Sequence, residues 1–230
     1  LVNAGLYVSG IIFLLLITGL SRQTAARGAS LLADLGAGLH CVRSTPILLT
    51  LIVMTVTLAF FALSFRQIMP AFADEVLEIG PGGSGLLLLA VGLGSLLGSL
   101  TLATLGDVRN KARLMMVAVL LVSVFLTLFA WSPWTWLSWI ILFFVGMMSF
   151  GIFLPLVITL IQLNVPSELR GRVMSILGLA PAVHYLGGLP LALTANALSW
   201  PLAITGAAAL SFCVAAWLGV WRPVLRRMDR

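Results

Sequence analysis

The apolar residues of this chain come in runs close to the ~20 residues a helix needs to cross a bilayer, cut by short charged stretches. The sharpest cut is Gly106-Asp107-Val108-Arg109-Asn110-Lys111-Ala112-Arg113, with four charged side chains in seven positions. It lies between apolar runs at 86–105 and 114–130. A Lys, Arg or Asp held at the centre of a membrane helix costs ~2.5–3.5 kcal/mol on insertion scales. The hairpin therefore marks one face of a membrane. Across the chain 61% of residues are hydrophobic and 9% charged, against roughly 25% charged in soluble domains. The expected class is an all-α integral membrane protein.

Seven spans follow from the runs: 4–20, 46–69, 86–105, 114–130, 134–161, 173–195 and 200–221. The formal net charge of +6 does not point to nucleic acid, because the basic residues flank apolar runs instead of forming one patch. Seven spans put the connectors at 21–45, 106–113 and 162–172 and the tail at 222–230 on one side. These hold twelve of the thirteen Lys and Arg residues, and Asp74, Glu75 and Glu78 fall on the other side. Under the positive-inside rule the basic side is cytoplasmic. Cys41 and Cys213 show no metal-ligand spacing and read as ordinary thiols, and no cofactor is expected. The chain opens almost directly in an apolar run, without Met or a basic leader, so further residues are expected upstream.

Within the connector 21–45, which carries Arg22, Arg27 and Arg43, Leu31, Leu32, Leu35, Leu39 and Val42 recur at three- and four-residue steps. They form one face of an amphipathic interfacial helix. Pro46 opens the second span, where a first-turn proline is tolerated. Thr50, Thr57 and Ser64 then fall seven apart with Met54 and Phe61 between them. This stripe either lines a cavity or consists of hydroxyls bonded back to their own helix. Arg66 and Gln67 follow, Arg66 either snorkelling or facing a cavity. Pro81-Gly82-Gly83-Ser84-Gly85 reads as a turn.

The third span is rich in small residues. Gly94 and Gly98, and Ser95 and Ser99, stand four apart, a spacing that lets two helix backbones approach. Trp131, Trp134, Trp136 and Trp139 around Pro133 read as an interfacial belt. Pro155 is expected to kink the fifth span. His184 lies deep in the sixth span and is the residue type that exchanges protons near neutrality; the other reading is a neutral His bonded to a helix carbonyl.

Three stretches resemble the major facilitator superfamily, in particular its second half. They are Met69-Pro70-Ala71-Phe72-Ala73-Asp74-Glu75-Val76-Leu77, the glycine-rich third span ending in Gly106-Asp107, and Val165-Pro166-Ser167-Glu168-Leu169-Arg170-Gly171-Arg172-Val173-Met174-Ser175. Bacterial exporters of the enterobactin-exporter and transmembrane-secretion-effector type are the nearest in look. The resemblance implies a six-helix C-terminal bundle at 46–221, a central cytoplasmic loop at 21–45, and the last helix of a missing N-terminal half at 1–20. The hairpin departs from the family's loop: Asp107 matches its acidic position, but Ala103, Val108 and Asn110 stand where Gly, a basic residue and Gly are usual.

The implied function is a secondary carrier whose two halves rock about a central site, coupled to protons and exporting small amphipathic molecules of drug or siderophore type. Its expected partners are that substrate, membrane lipid and the missing half. The cytoplasmic gate would comprise Asp107, Arg109, Lys111, Arg113, Glu168, Arg170 and Arg172. The substrate cavity would comprise Thr50, Met54, Thr57, Phe61, Ser64, Arg66, Gln67, Phe143 and Phe150, and His184 would carry the coupling proton.

Two other classes stand beside this one. Gly82-Gly83-Ser84-Gly85 with His184 fits the pattern of an intramembrane serine protease. Ser84, however, is at a span's mouth and His184 about ten residues into another, ~15 Å deep at helical rise, far beyond nucleophile–base reach. A membrane subunit of an ATP-driven permease is the other, and without a G-x-x-x-x-G-K-[ST] loop its ATP would act on another chain.

Overall fold

A computed structural model describes residues 8–13, 31–106, 108 and 110–221. The chain divides into two compact units, Leu1–Asp34 and Leu35–Arg230. In the first, residues 8–13 are helical and exposed. The rest of the predicted first span lies outside the described residues, as do Arg22, Arg27 and the basic tail.

Helix α1, Leu31–Ser44, occupies the predicted amphipathic stretch. Gly38, Cys41 and Val42 are buried, whereas Leu39, on the apolar face expected at the interface, is exposed. The difference has a packing cause. A Cβ on Gly38 would stand 3.2 Å from the Arg172 carbonyl oxygen and 3.1 Å from Ile176, so a glycine lets α1 lie directly on another helix.

Six helices long and apolar enough to cross a membrane follow. They are α2 Pro46–Glu75, α3 Gly80–Leu105, α4 Lys111–Ala130, α5 Thr135–Asn164, α6 Ser167–Ala197 and α7 Trp200–Trp221. They match the second to seventh spans read from the sequence, and no strand occurs among the described residues. Two connectors, 70–85 and 162–172, are shorter than expected. Residues 80–85 are helical, with Pro81 in the first turn of α3, where its missing N–H costs nothing. The predicted turn there is thus the start of a helix. Pro70 sits inside α2, which runs on to Glu75. The segment from Ser167 to Arg172 forms the opening of α6 instead of a loop.

Lipid tails are as apolar as leucine, so membrane helices associate by close packing more than by the hydrophobic effect. The α3–α5 seam shows this. A Cβ on Gly94 would fall on the Phe143 carbonyl, one on Gly98 on the Met147 carbonyl, and one on Gly146 on Val91. Gly151 closes the seam against Gly98. The side of α3 away from the seam exposes Leu86, Leu89, Leu93, Leu96 and Leu100, a face suited to hydrocarbon. Burial is deepest along α5, where 56% of the most apolar window is covered, against 28% along α3.

Aromatic and acidic side chains gather where α2 ends, α4 meets α5 and α7 begins. Trp131, Trp134 and Trp136 are exposed, with the last two stacked at 5.9 Å. The Trp200 indole donates to the Glu75 carboxylate at 2.9 Å, and the Trp131 indole donates to the Thr205 hydroxyl at 3.0 Å. Tryptophans that pair a wet edge with an apolar ring mark a membrane–water boundary.

The seam makes a stability prediction. Gly146→Ala drives a methyl into the Val91 backbone and lowers stability by about 1–3 kcal/mol. Gly92→Ala, on the same helix pair with nothing within 4 Å, changes it by less than about 1 kcal/mol. Thermal unfolding of both variants in detergent micelles checks the contrast.

Candidate functional site

Helices α2, α5 and α6 line a half-open cavity of about 340 Å³. From α2 come Thr55, Leu58, Ala59, Leu63 and Arg66. From α5 come Ser149, Phe150, Phe153, Leu154 and Ile158. Met174, Leu177 and His184 close it from α6. Phe150 lies at the middle of the 30-residue α5 and His184 near the middle of the 31-residue α6. In a helix rising 1.5 Å per residue, that places the cavity near half-depth, the level at which carriers hold their ligands.

Both walls depart from α geometry at the cavity. Leu58–Ala62 in α2 and Met147–Phe153 in α5 are π-helical, and each contributes lining residues. The α5 segment has a local cause: Pro155 lacks an N–H, and its ring crowds the carbonyl four residues back, at Gly151. The ladder widens just ahead of it. In α2 the π turn is followed by tightened i→i−3 bonds, Arg66 N–H to Leu63 at 3.2 Å and Gln67 N–H to Ser64 at 3.0 Å. Pro70 also removes the N–H that would have bonded the Arg66 carbonyl. π turns inside α-helices are frequent at functional sites.

The cavity's polar groups fall into two kinds. Its two hydroxyls are satisfied within their own helices: Thr55 donates to the Leu51 carbonyl at 2.8 Å, and Ser149 to Val145 at 2.6 Å. Its basic groups are not. The Arg66 guanidinium stands 5.2 Å from the centre of the Phe150 ring, a cation–π contact. The His184 ring leans on Tyr185 with centroids 4.1 Å apart.

Of the residues the sequence nominated for a cavity, Arg66, Phe150 and His184 share this one. Phe61 instead lines a second recess of about 550 Å³, with Phe60, Gly187, Pro190 and Cys213. Thr50 and Met54 are in the buried core, Thr50 donating to the Pro46 carbonyl at 2.8 Å. Thr57 is half-buried.

Ser64 is buried, its hydroxyl directed at the Phe60 carbonyl and 3.0 Å from the carbonyl of His184. Gln67 is exposed, its alkyl stem against Gly188. Phe143 packs on Trp139 and Phe144. The seven-residue stripe was read on one helical period, and the π turn breaks that period between Thr57 and Ser64. Thr55 and Ser149 carried no periodic signal. Gly187 and Gly188, which let α6 close on Phe60, Ser64 and Gln67, stand next to each other and escape a four-residue search.

At the charged end, Asp107 and Arg109 lie outside the described residues. Lys111 donates to the Val108 carbonyl at 3.1 Å, closing the hairpin at the start of α4, and Arg113 is exposed. Glu168, in the first turn of α6, accepts from the Ser167 hydroxyl at 2.9 Å, where the helix dipole favours an anion. Arg170 donates to the Gln162 carbonyl at 3.1 Å, clamping the end of α5 to the start of α6. Arg172 is half-buried beside Gly38 of α1. Gly82 and Gly83 line a third recess with Trp136 and Trp139. Gly82 and Gly83 thus open on a different recess from His184.

The profile of the Major Facilitator Superfamily matches residues 1–183. The chain belongs to that family. It is 29% identical over 211 residues to the multidrug efflux pump Tap of Mycolicibacterium fortuitum, a match covering 87% of this chain and 48% of the relative. The chain thus spans about half the length of the curated relative it matches. No solved structure matches. Membership in the Major Facilitator Superfamily gives the half-depth cavity its context, since these bundles carry their ligand sites between helices at that level.

Accessibility separates the cavity wall from the core. With Cys41 and Cys213 replaced by serine, Leu63→Cys and Ile158→Cys react with a small water-soluble thiol reagent much faster than Met54→Cys. Labelling rates in detergent and in lipid nanodiscs measure the difference.

Proposed function

We propose that this chain is the back half of a secondary active exporter working by alternating access in a bacterial inner membrane. The observation that carries the reading is the half-depth cavity, with its apolar walls, two basic side chains and two π turns, in a Major Facilitator Superfamily bundle. The efflux function named for its relative supports the direction of transport. The substrate is a small amphipathic organic molecule of drug or siderophore type, and a six-helix front half completes the site. Bulk lipid covers the outer apolar faces. The C-terminus is cytoplasmic, on the side with twelve of the thirteen Lys and Arg residues.

The charged end works as a latch between the two access states. Asp107, Arg109, Lys111 and Arg113 on the hairpin, and Glu168, Arg170 and Arg172 at the start of α6, exchange partners as the halves rock. His184, at half-depth in the cavity wall, takes up and releases the coupling proton.

Two outcomes follow for the full-length carrier in proteoliposomes. Asp107→Asn or Glu168→Gln slows substrate flux while membrane insertion is unchanged; flux equal to the parent removes the latch. His184→Gln abolishes the stimulation of flux by an imposed pH gradient and leaves equilibrium exchange of substrate intact. A gradient response equal to the parent's assigns coupling to another group.

A further inference from the structure

We infer that the cavity selects amphipathic organic anions, with Arg66 as the residue that reads their charge. The inference rests on the exporter reading for its setting and goes beyond it in naming the substrate's charge.

Arg66 is the one Lys or Arg that the charge pattern does not place at the basic face. Its guanidinium faces the cavity over Phe150. Among the described residues no acceptor takes its N–H groups. An ionised group within membrane depth is expected to have a partner, and the sequence offers none on these helices near it. The chain's acidic residues are Asp34, Asp74, Glu75, Glu78, Asp107, Glu168 and Asp229. On α2 itself Asp74 lies eight residues beyond Arg66, ~12 Å along the helix, and the Glu75 carboxylate is engaged by Trp200. Among the described residues no carboxylate lines the cavity.

The other polar groups sharpen the point. The Thr55 and Ser149 hydroxyl protons are committed to carbonyls of their own helices. The donors left for a ligand are the guanidinium N–H groups and the His184 ring. A guanidinium offers a planar fork that matches a carboxylate or sulfonate. The remaining walls, Leu58, Leu63, Phe153 and Ile158 among them, suit a hydrocarbon or aromatic body. A cationic amphiphile would bring like charge to Arg66 and find no carboxylate on this wall.

The test uses the full-length carrier in lipid nanodiscs and three probes on one scaffold: 2-naphthoate, 2-naphthamide and 2-naphthylmethylammonium. Equilibrium binding is measured against empty nanodiscs, and flux of the same probes in proteoliposomes. The parent is expected to bind naphthoate about tenfold or more tighter than the other two, the size of one charge-assisted hydrogen bond. Arg66→Gln removes that preference and Arg66→Lys keeps most of it. Thr55→Asp, which adds a counter-charge to the same cavity, also removes it and serves if Arg66→Gln fails to assemble.

Equal binding of the three probes, a preference for the ammonium, or an anion preference that survives both Arg66→Gln and Thr55→Asp would overturn the assignment. Flux of amide and ammonium without naphthoate keeps the exporter and overturns the anion site. Selective naphthoate binding without flux of any probe keeps the site and counts against the exporter.

Discussion

A backbone N–H or C=O in hydrocarbon has no water to turn to. Each must find a partner within the protein, at a penalty of several kcal/mol for failure. That constraint accounts for the six long helices, and it also dictates where the helices are allowed to be irregular. Non-regular backbone at membrane depth is tolerated where protein buries it or a cavity receives it. In this chain the π turns of α2 and α5 both border the cavity between them. Prolines and serines supply the local adjustments. Pro155 follows one π turn, and after the other the Ser64 hydroxyl lies within reach of carbonyls on both α2 and α6.

Helix contacts obey the second half of the same physics. With little hydrophobic gain between helices in lipid, contact depends on how closely backbones approach. Glycine sets that distance at the α3–α5 seam through Gly94, Gly98, Gly146 and Gly151, and at the α2–α6 crossing through Gly187 and Gly188. The first seam is backbone against backbone and has little room to change. At the second, Gly187 meets the Phe60 backbone as closely, while Gly188 meets the Gln67 stem. The cavity lies where α2, α5 and α6 meet.

Much of the bundle was legible from residues alone. Apolar run length gave seven spans, of which the second to seventh stand as long apolar helices among the described residues, and charge located the connectors. The Gly94–Gly98 spacing announced the seam that the structure displays. What failed did so for definable reasons. Pro81-Gly82-Gly83 reads as a turn by composition, yet a proline in the first helical turn is compatible with helix, and the long apolar run beyond it decides. Leu39 was placed by period on the apolar face of an interfacial helix, and it is exposed; that Gly38 is the point of contact with α6 was not announced by that period. In the cavity the sequence found Arg66, Phe150 and His184 because charge and depth are readable. Thr50, Met54 and Ser64 are in the core instead, the Thr50 and Ser64 hydroxyls turned to helix carbonyls as in the other reading of the stripe, and the π turn sets Ser64 off the period of Thr50 and Thr57.

A π turn is in effect one surplus residue held inside a helix whose two flanks keep their own contacts. Leu48, Leu51 and Met54 ahead of the π turn and Phe65, Ile68 and Met69 beyond it all sit in the core, with the surplus absorbed between them. Loss of a single residue there would straighten the wall without repacking either flank. A second surplus residue would push the wall outward. The cavity of such a chain can therefore change shape during descent through one-codon insertions and deletions in α2, a route that leaves the glycine seam and the charged end untouched.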